Sequence, residues 1–190
     1  MNELLLAPTV TECQSEWMTL PVSALATHIS GIYHERMRDE LPLLTRKATE
    51  LSYSFTDGRV FDLRALAALL TELRGAVDGH AWTEDDLLFP AVIAHENPVL
   101  ITTLSPDRML RLVYQLAEDH VQIRRLLARV TAYIDTVSER ASEVPQWADL
   151  ITRIGRLRDY KLEELDLEDR CVLPRARALA EAEKGRWSYR

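Results

Sequence analysis

One spacing occurs twice in this chain and limits its architecture more than any bulk property does. His80-Ala-Trp-Thr-Glu84-Asp-Asp-Leu-Leu-Phe-Pro90 sets an imidazole and a carboxylate four residues apart. On a helix the two stack on one face, roughly 6 Å apart, a separation that suits a metal ion. Glu164-Leu-Asp-Leu-Glu168-Asp-Arg-Cys-Val-Leu-Pro174 repeats the layout 84 positions later, with Asp after the second Glu, a short apolar run, and Pro six after that Glu. His34 and His120 form a third match, offset by 86, each near the middle of its own apolar-periodic segment. The chain therefore reads as two similar helical hairpins, each with one lone His and one paired site.

The apolar pattern supports four helices. A stripe of His34, Met37, Leu41, Leu44, Ala48 and Leu51 belongs to a helix beginning at Val22. After a turn signal at Asp57-Gly58, a second stripe runs through Leu63, Leu66, Leu70, Leu73, Val77, His80, Glu84 and Leu87. Such stripes face a core, so His80 and Glu84 point inward. Ser105-Pro106-Asp107 has the form of a helix start, Ser as N-cap and Pro in the first turn. The third stripe is the most regular, with His120 interrupting Met109, Val113, Leu116, Ile123, Leu127, Val130, Ile134 and Val137. The fourth carries Leu150, Ile154, Leu157, Glu164, Glu168 and Cys171. Carboxylates inside that stripe require partners, because unpaired buried charge is costly.

Pro42, Pro90 and Pro174 fall inside these patterns, where each is expected to end or kink a helix. Residues 1–20 lack a sustained period and read as an arm, with Trp17 and Leu20 as possible docking points. Residues 21–180 form the bundle, and 181–190 read as a polar tail anchored by Trp187 and Tyr189.

At 190 residues the chain fits one domain, and its few Gly and Pro favour an all-α protein. A formal charge of −7 argues against a general nucleic-acid binder. The scattered Arg residues, Arg124 and Arg125 among them, read as solvated helix faces, and so do the acidic runs beyond Glu84 and Glu164. Cys13 and Cys171 do not make a disulfide framework and fit a reducing compartment. The first residues lack the form of an export signal, and no apolar run reaches the length of a membrane span, so the expected location is the cytoplasm.

The inward set is His34, His80, Glu84, His120, Glu164 and Glu168. Facing helices of bundles commonly hold metal sites built from Glu and His, and six such groups suffice for a pair of ions. Nitrogen and oxygen donors without a thiolate point to iron or manganese over structural zinc. Among the other residues, His28 and Tyr160 read as packing residues, His95 as exposed, and Cys171 as a small buried apolar residue.

The segments Leu25-Ala-Thr-His-Ile-Ser-Gly-Ile-Tyr-His-Glu-Arg-Met-Arg-Asp-Glu-Leu-Pro42, His80 to Pro90, Glu118-Asp-His120, and Glu168 before Val-Leu-Pro174 together resemble a hemerythrin-like protein. The resemblance covers roughly residues 20–180. It points to the repair-of-iron-centres branch, di-iron proteins linked to iron-sulfur cluster repair after nitrosative or oxidative stress. It implies an up-and-down four-helix bundle with two non-haem irons, manganese being the alternative metal.

By the same resemblance, Glu84 and Glu168 are bridging carboxylates, and His34, His80 and His120 are terminal ligands. The family's remaining His falls on Glu164, a departure with two readings: a set richer in oxygen, or a Glu164 swung out with one metal weakly held or absent. Hard anionic oxygen favours ferric over ferrous iron, which turns the expectation from reversible oxygen carriage toward oxidative or peroxide chemistry. That branch often carries a small N-terminal domain with a cysteine motif, which the short arm here does not supply. The implied partners are oxygen, peroxide or nitric oxide, and iron-sulfur proteins. Two other classes stay open: a di-iron oxidase, peroxidase or oxygenase, and a metal-dependent sensor or interaction module.

Overall fold

The computed structural model describes residues 17–54, 59–97, 104–141 and 145–187. They form four long helices: α1 over residues 22–52, α2 over 59–96, α3 at Pro106–Ala141 and α4 over 145–187. Each helix packs on the next, and α4 closes the ring on α1. Ion pairs between opposite ends fix the directions. Lys184 near the end of α4 meets Asp107 at the start of α3, and Lys47 late in α1 meets Asp149 early in α4. The bundle is up-and-down, as the two-hairpin reading predicts.

Side chains from all four helices fill two apolar clusters. One contains Leu41, Leu66, Leu70, Ile123, Trp147 and Leu150. The other contains Leu25, Ile29, Leu88, Leu116, Val172 and Ala176. Each fully buried Leu or Ile contributes about 1.5–3 kcal/mol by leaving water. Six buried polar residues occupy the level between the clusters: His34, His80, Glu84, His120, Glu164 and Glu168.

The helix starts are tied down locally. Ser105 Oγ accepts from the Arg108 N–H, as its N-cap reading requires. At the start of α1 the Glu96 carboxylate, from the far end of α2, accepts from the Val22 and Ser23 N–H groups. It thereby replaces the side-chain cap that Pro21 lacks.

Of the two outcomes expected at the prolines, an end or a kink, the first does not occur, since none of the three ends its helix. α1 runs through Pro42. In α2 and α4 a wide π-helical turn, Glu84–Leu88 and Glu168–Val172, comes just before the proline. There the Phe89 N–H bonds to the Glu84 carbonyl, and the Leu173 N–H to the Glu168 carbonyl, each five residues back. A proline cannot donate to the fourth carbonyl before it, and its ring crowds that carbonyl. One extra residue in the turn relieves the conflict and lets the helix continue.

The wide turn also shifts the stripe by one position. Leu88 and Phe89 are buried where the even period expects Leu87, which is only half-buried. A third π-helical stretch, Ile29–His34, lies in α1 and ends on His34. Cys13 and Tyr189 lie outside the described residues. Trp17 packs against His28 at 4.5 Å, and α4 continues to Trp187.

Candidate metal centre

Glu84 and Glu168 each open one of the wide turns, so both carboxylates project from a widened section of helix into the bundle. His34 comes from α1, His80 from α2 one turn before Glu84, His120 from mid α3, and Glu164 from α4 one turn before Glu168. None of the six is more than 2% exposed.

Their donor atoms fall into two overlapping groups. His80, Glu84, His120 and Glu168 form one, and His34, Glu84, Glu164 and Glu168 the other, with the donor atoms in each within 4.8 Å of one another. Glu84 and Glu168 belong to both. The Nε2 atoms of His34 and His80 each lie 3.2 Å from Glu84 Oε2, and His120 Nε2 lies 2.9 Å from Glu168 Oε2.

These separations do not amount to a satisfied network. Both oxygens of Glu84, Oε2 of Glu164, Oε1 of Glu168, and the Nε2 atoms of His34 and His120 are buried without an aligned hydrogen-bond partner. Native interiors leave few polar atoms in that condition. Six of them aimed at one small volume, three carboxylates among them, are what a pair of cations would satisfy. The residues present therefore fit a two-metal centre.

In the metal-free protein, protons partly fill that role. Burial alone would lower the His34 pKa, but the hydrogen bond to Asp85 and the close Glu164 and Glu84 carboxylates outweigh it and push the value up to about 11. His80 is raised to about 9, burial being overcome by the Glu84 charge and by Glu168. His120 is raised as well, by Asp169 and Glu168 against burial. Burial would raise Glu84 and Glu168, yet the neighbouring imidazoles hold both down at about 2. Burial in Glu168 is reinforced by Glu84, a second carboxylate whose charge works against its ionisation.

A second layer of side chains escaped the reading of spacing alone. His34 Nδ1 is 2.9 Å from Asp85 Oδ1, and His120 Nδ1 is 2.6 Å from Asp169 Oδ1. Each Asp directly follows a central Glu. Arg38 pairs with Asp85, and Arg124 Nη2 donates to Asp169 Oδ2 at 2.8 Å. Each Arg lies four residues after the His that its Asp orients. The internal repeat thus extends outward, as His34, Arg38, Glu84 and Asp85 against His120, Arg124, Glu168 and Asp169.

The expectation of merely solvated faces is corrected for Asp85 and Arg124, which share this outer layer with Asp169. Their task is to fix the imidazole tautomer, so that Nε2 faces the carboxylates with its lone pair free for a metal. His80 is held less firmly, its Nδ1 lying 4.0 Å from Asp119 Oδ2. We expect Asp169→Asn to keep the helical fold and weaken metal binding by about 10–100-fold, checked by competition with a chelator of known affinity.

The remaining candidates lie apart from the cluster. His28 packs against Trp17 and Tyr33, and Tyr160 donates to the Ile32 carbonyl at 3.2 Å without reaching the donor atoms. Cys171 is buried, with Sγ 3.4 Å from Met18 Sδ. His95 is not fully exposed as expected. It is half-buried where α2 meets α4, with Nδ1 3.2 Å from Glu183 Oε1. Lys161, absent from the expected set, is buried with Nζ 2.8 Å from Glu164 Oε1. It falls on the stripe Leu157, Lys161, Glu164, Glu168, so the periodicity that identified its neighbours also pointed to it.

A surface recess of about 240 Å³, lined by Gly75, Gly79, His80, Gln115, Asp119 and Gln122, reaches the edge of the cluster. No helix among the described residues is long and apolar enough to cross a membrane.

No protein-family model matches the chain. Among curated proteins it is 26% identical over 163 residues to the iron-sulfur cluster repair protein YtfE of Enterobacter sp. (strain 638), covering 86% of this chain and 70% of that protein. It is 27% identical over 161 residues to the YtfE of Edwardsiella ictaluri, covering 85% and 68%. With the YtfE of Escherichia coli O1:K1 / APEC the identity is 24% over 165 residues, covering 87% and 70%. The chain is thus similar to iron-sulfur cluster repair proteins over most of its length, and it holds paired His/Glu clusters inside a hemerythrin-like four-helix bundle.

Proposed function

We propose that this protein carries a non-haem di-iron centre and acts in iron-sulfur cluster repair under nitrosative or oxidative stress. Glu84 and Glu168, which belong to both donor groups, would supply carboxylate oxygens to both irons. His80 and His120 would complete one position, and His34 and Glu164 the other. The observation that carries the reading is the pair of donor groups sharing Glu84 and Glu168, with their unpartnered buried atoms. The names of the YtfE relatives support the repair role.

When bound, the irons would supply Lewis acidity and one-electron redox capacity to a small ligand such as oxygen, peroxide or nitric oxide. The rest is the task of this chain. Asp85 and Asp169 orient His34 and His120, while Arg38 and Arg124 hold the two aspartates in place. The apolar clusters above and below exclude water, which strengthens every charge interaction at the level of the metals. The recess beside His80 offers a route for a small molecule.

Glu164 favours a second reading, a di-iron oxidase or peroxidase, because a third carboxylate stabilises ferric iron. The iron-loaded protein separates the two when it is incubated with an apo iron-sulfur protein and, in parallel, with peroxide. Restoration of the cluster without steady peroxide consumption is the expected result. Sustained peroxide turnover without cluster restoration would replace repair with the oxidase reading.

A further inference from the structure

The internal repeat breaks at two positions that touch each other. In α2 the residues four and seven before the central Glu are His80 and Val77. In α4 the matching positions hold Glu164 and Lys161. An imidazole over an apolar neighbour in one half is thus replaced by a carboxylate with an ammonium beside it in the other.

Lys161 is 1% exposed and lines a small apolar void together with Met37, Leu73, Val77, Leu127 and Leu157. Its Nζ lies 2.8 Å from Glu164 Oε1, the same oxygen that lies 3.2 Å from His34 Nε2. All three carboxylates of the cluster bear on Lys161 electrostatically, Glu164 most strongly.

Resting on the two-metal reading above, we infer that Lys161 makes the two metal positions unequal and sets their order of filling. An ion between His34 and Glu164 shares the Glu164 carboxylate with the ammonium, and it meets that positive charge at short range in a poorly screened interior. Among the described residues, the position formed by His80, His120, Glu84 and Glu168 has no such competitor in direct contact. That position fills first and holds its ion tightly. The position on the His34 and Glu164 side fills second, releases its ion first, and is the exchangeable half of the centre.

The probe is Co2+, added to the metal-free full-length protein in the presence of a competing chelator and followed by its visible absorption. Wild type is expected to show two binding events separated by at least about tenfold in affinity, the size of effect that one neighbouring charge has on an ionisation. His34→Ala should remove the weaker event, and His120→Ala should chiefly weaken the tighter one. Lys161→Met should tighten the weaker event by at least about tenfold, a gain that a merely structural role does not produce. If Lys161→Met does not fold, Lys161→Gln makes the same test while keeping a polar end. Two events of equal affinity that neither substitution changes, or a loosened second event, would overturn the inference and leave the two-metal reading standing. Failure of the wild-type protein to bind Co2+ at all would overturn both.

Discussion

Replacing Glu168 by alanine is expected to abolish both metal positions at once and to reduce affinity for each ion by more than about 100-fold, beyond what loss of an orienting side chain costs. The carboxylate belongs to both donor groups, is fully buried, and lies 2.9 Å from His120 Nε2 and 3.3 Å from His80 Nε2. No other described residue offers a carboxylate to the same pair of imidazoles at these distances. Glu168→Gln keeps the shape of the side chain and removes only the charge. It should fold and still fail to hold two ions, which separates loss of a ligand from loss of structure. Metal analysis after gel filtration, with circular dichroism on the same sample, checks both. A Glu168→Ala protein that retained two tightly bound ions would show that Glu168 does not bridge them.

The second large effect is on the metal-free protein, whose stability should fall as pH rises above about 6.5. The folded-state pKa values of His34 and His80, about 11 and 9, stand above the unfolded value of 6.5. A raised pKa contributes stability that is complete below the unfolded value and is lost as pH climbs through the folded one. Deprotonation also leaves Glu84, Glu164 and Glu168 with fewer cations around them. Glu84 and Glu168, held down at about 2, act in the opposite sense, contributing above about 4.5 and losing that contribution as pH falls through about 2. These are two sides of one set of His–Glu interactions and count once.

The metal-free protein should therefore be most stable between about pH 4.5 and 6.5. Its Tm at pH 9.5 should be lower by about 10 °C, which corresponds to a loss on the order of 3 kcal/mol in a chain of this size. The loaded protein should lack this fall across the same range, because metal binding expels the imidazole protons and rewards deprotonation. Calorimetry on both forms across the range checks it. A flat profile for the metal-free protein would mean that the imidazoles are not protonated by their carboxylate neighbours.

Much of this centre was legible in the sequence because it lies on regular stripes. A His or Glu that interrupts apolar positions at helical spacing must point inward, and the 84-residue repeat tells which interruptions belong together. The outer layer was harder to read, because Asp85 and Asp169 lie off the stripe. Their direction depends on the wide turns at Glu84 and Glu168, which an even period does not describe. Those turns also moved burial from Leu87 to Leu88 and Phe89. Pro90 and Pro174 were the visible signal, though their usual meaning is a broken helix and not a widened one. The pairing of Arg38 with Asp85 and Arg124 with Asp169 was available in the repeat, since each Arg lies four residues after a His. Lys161 shows a different limit. It sits on the stripe, but a lysine there reads as surface until Glu164 gives it a buried partner.

The most direct test is metal content per chain in protein purified from iron-supplied cells, measured with the visible absorption spectrum and repeated on His80→Ala and His34→Ala. Two irons per wild-type chain with ligand-to-metal charge-transfer absorption, and fewer than two in each variant, is the predicted result. A correctly folded wild-type protein with no bound iron or manganese would contradict the account, leaving six buried polar side chains that gather around no ion.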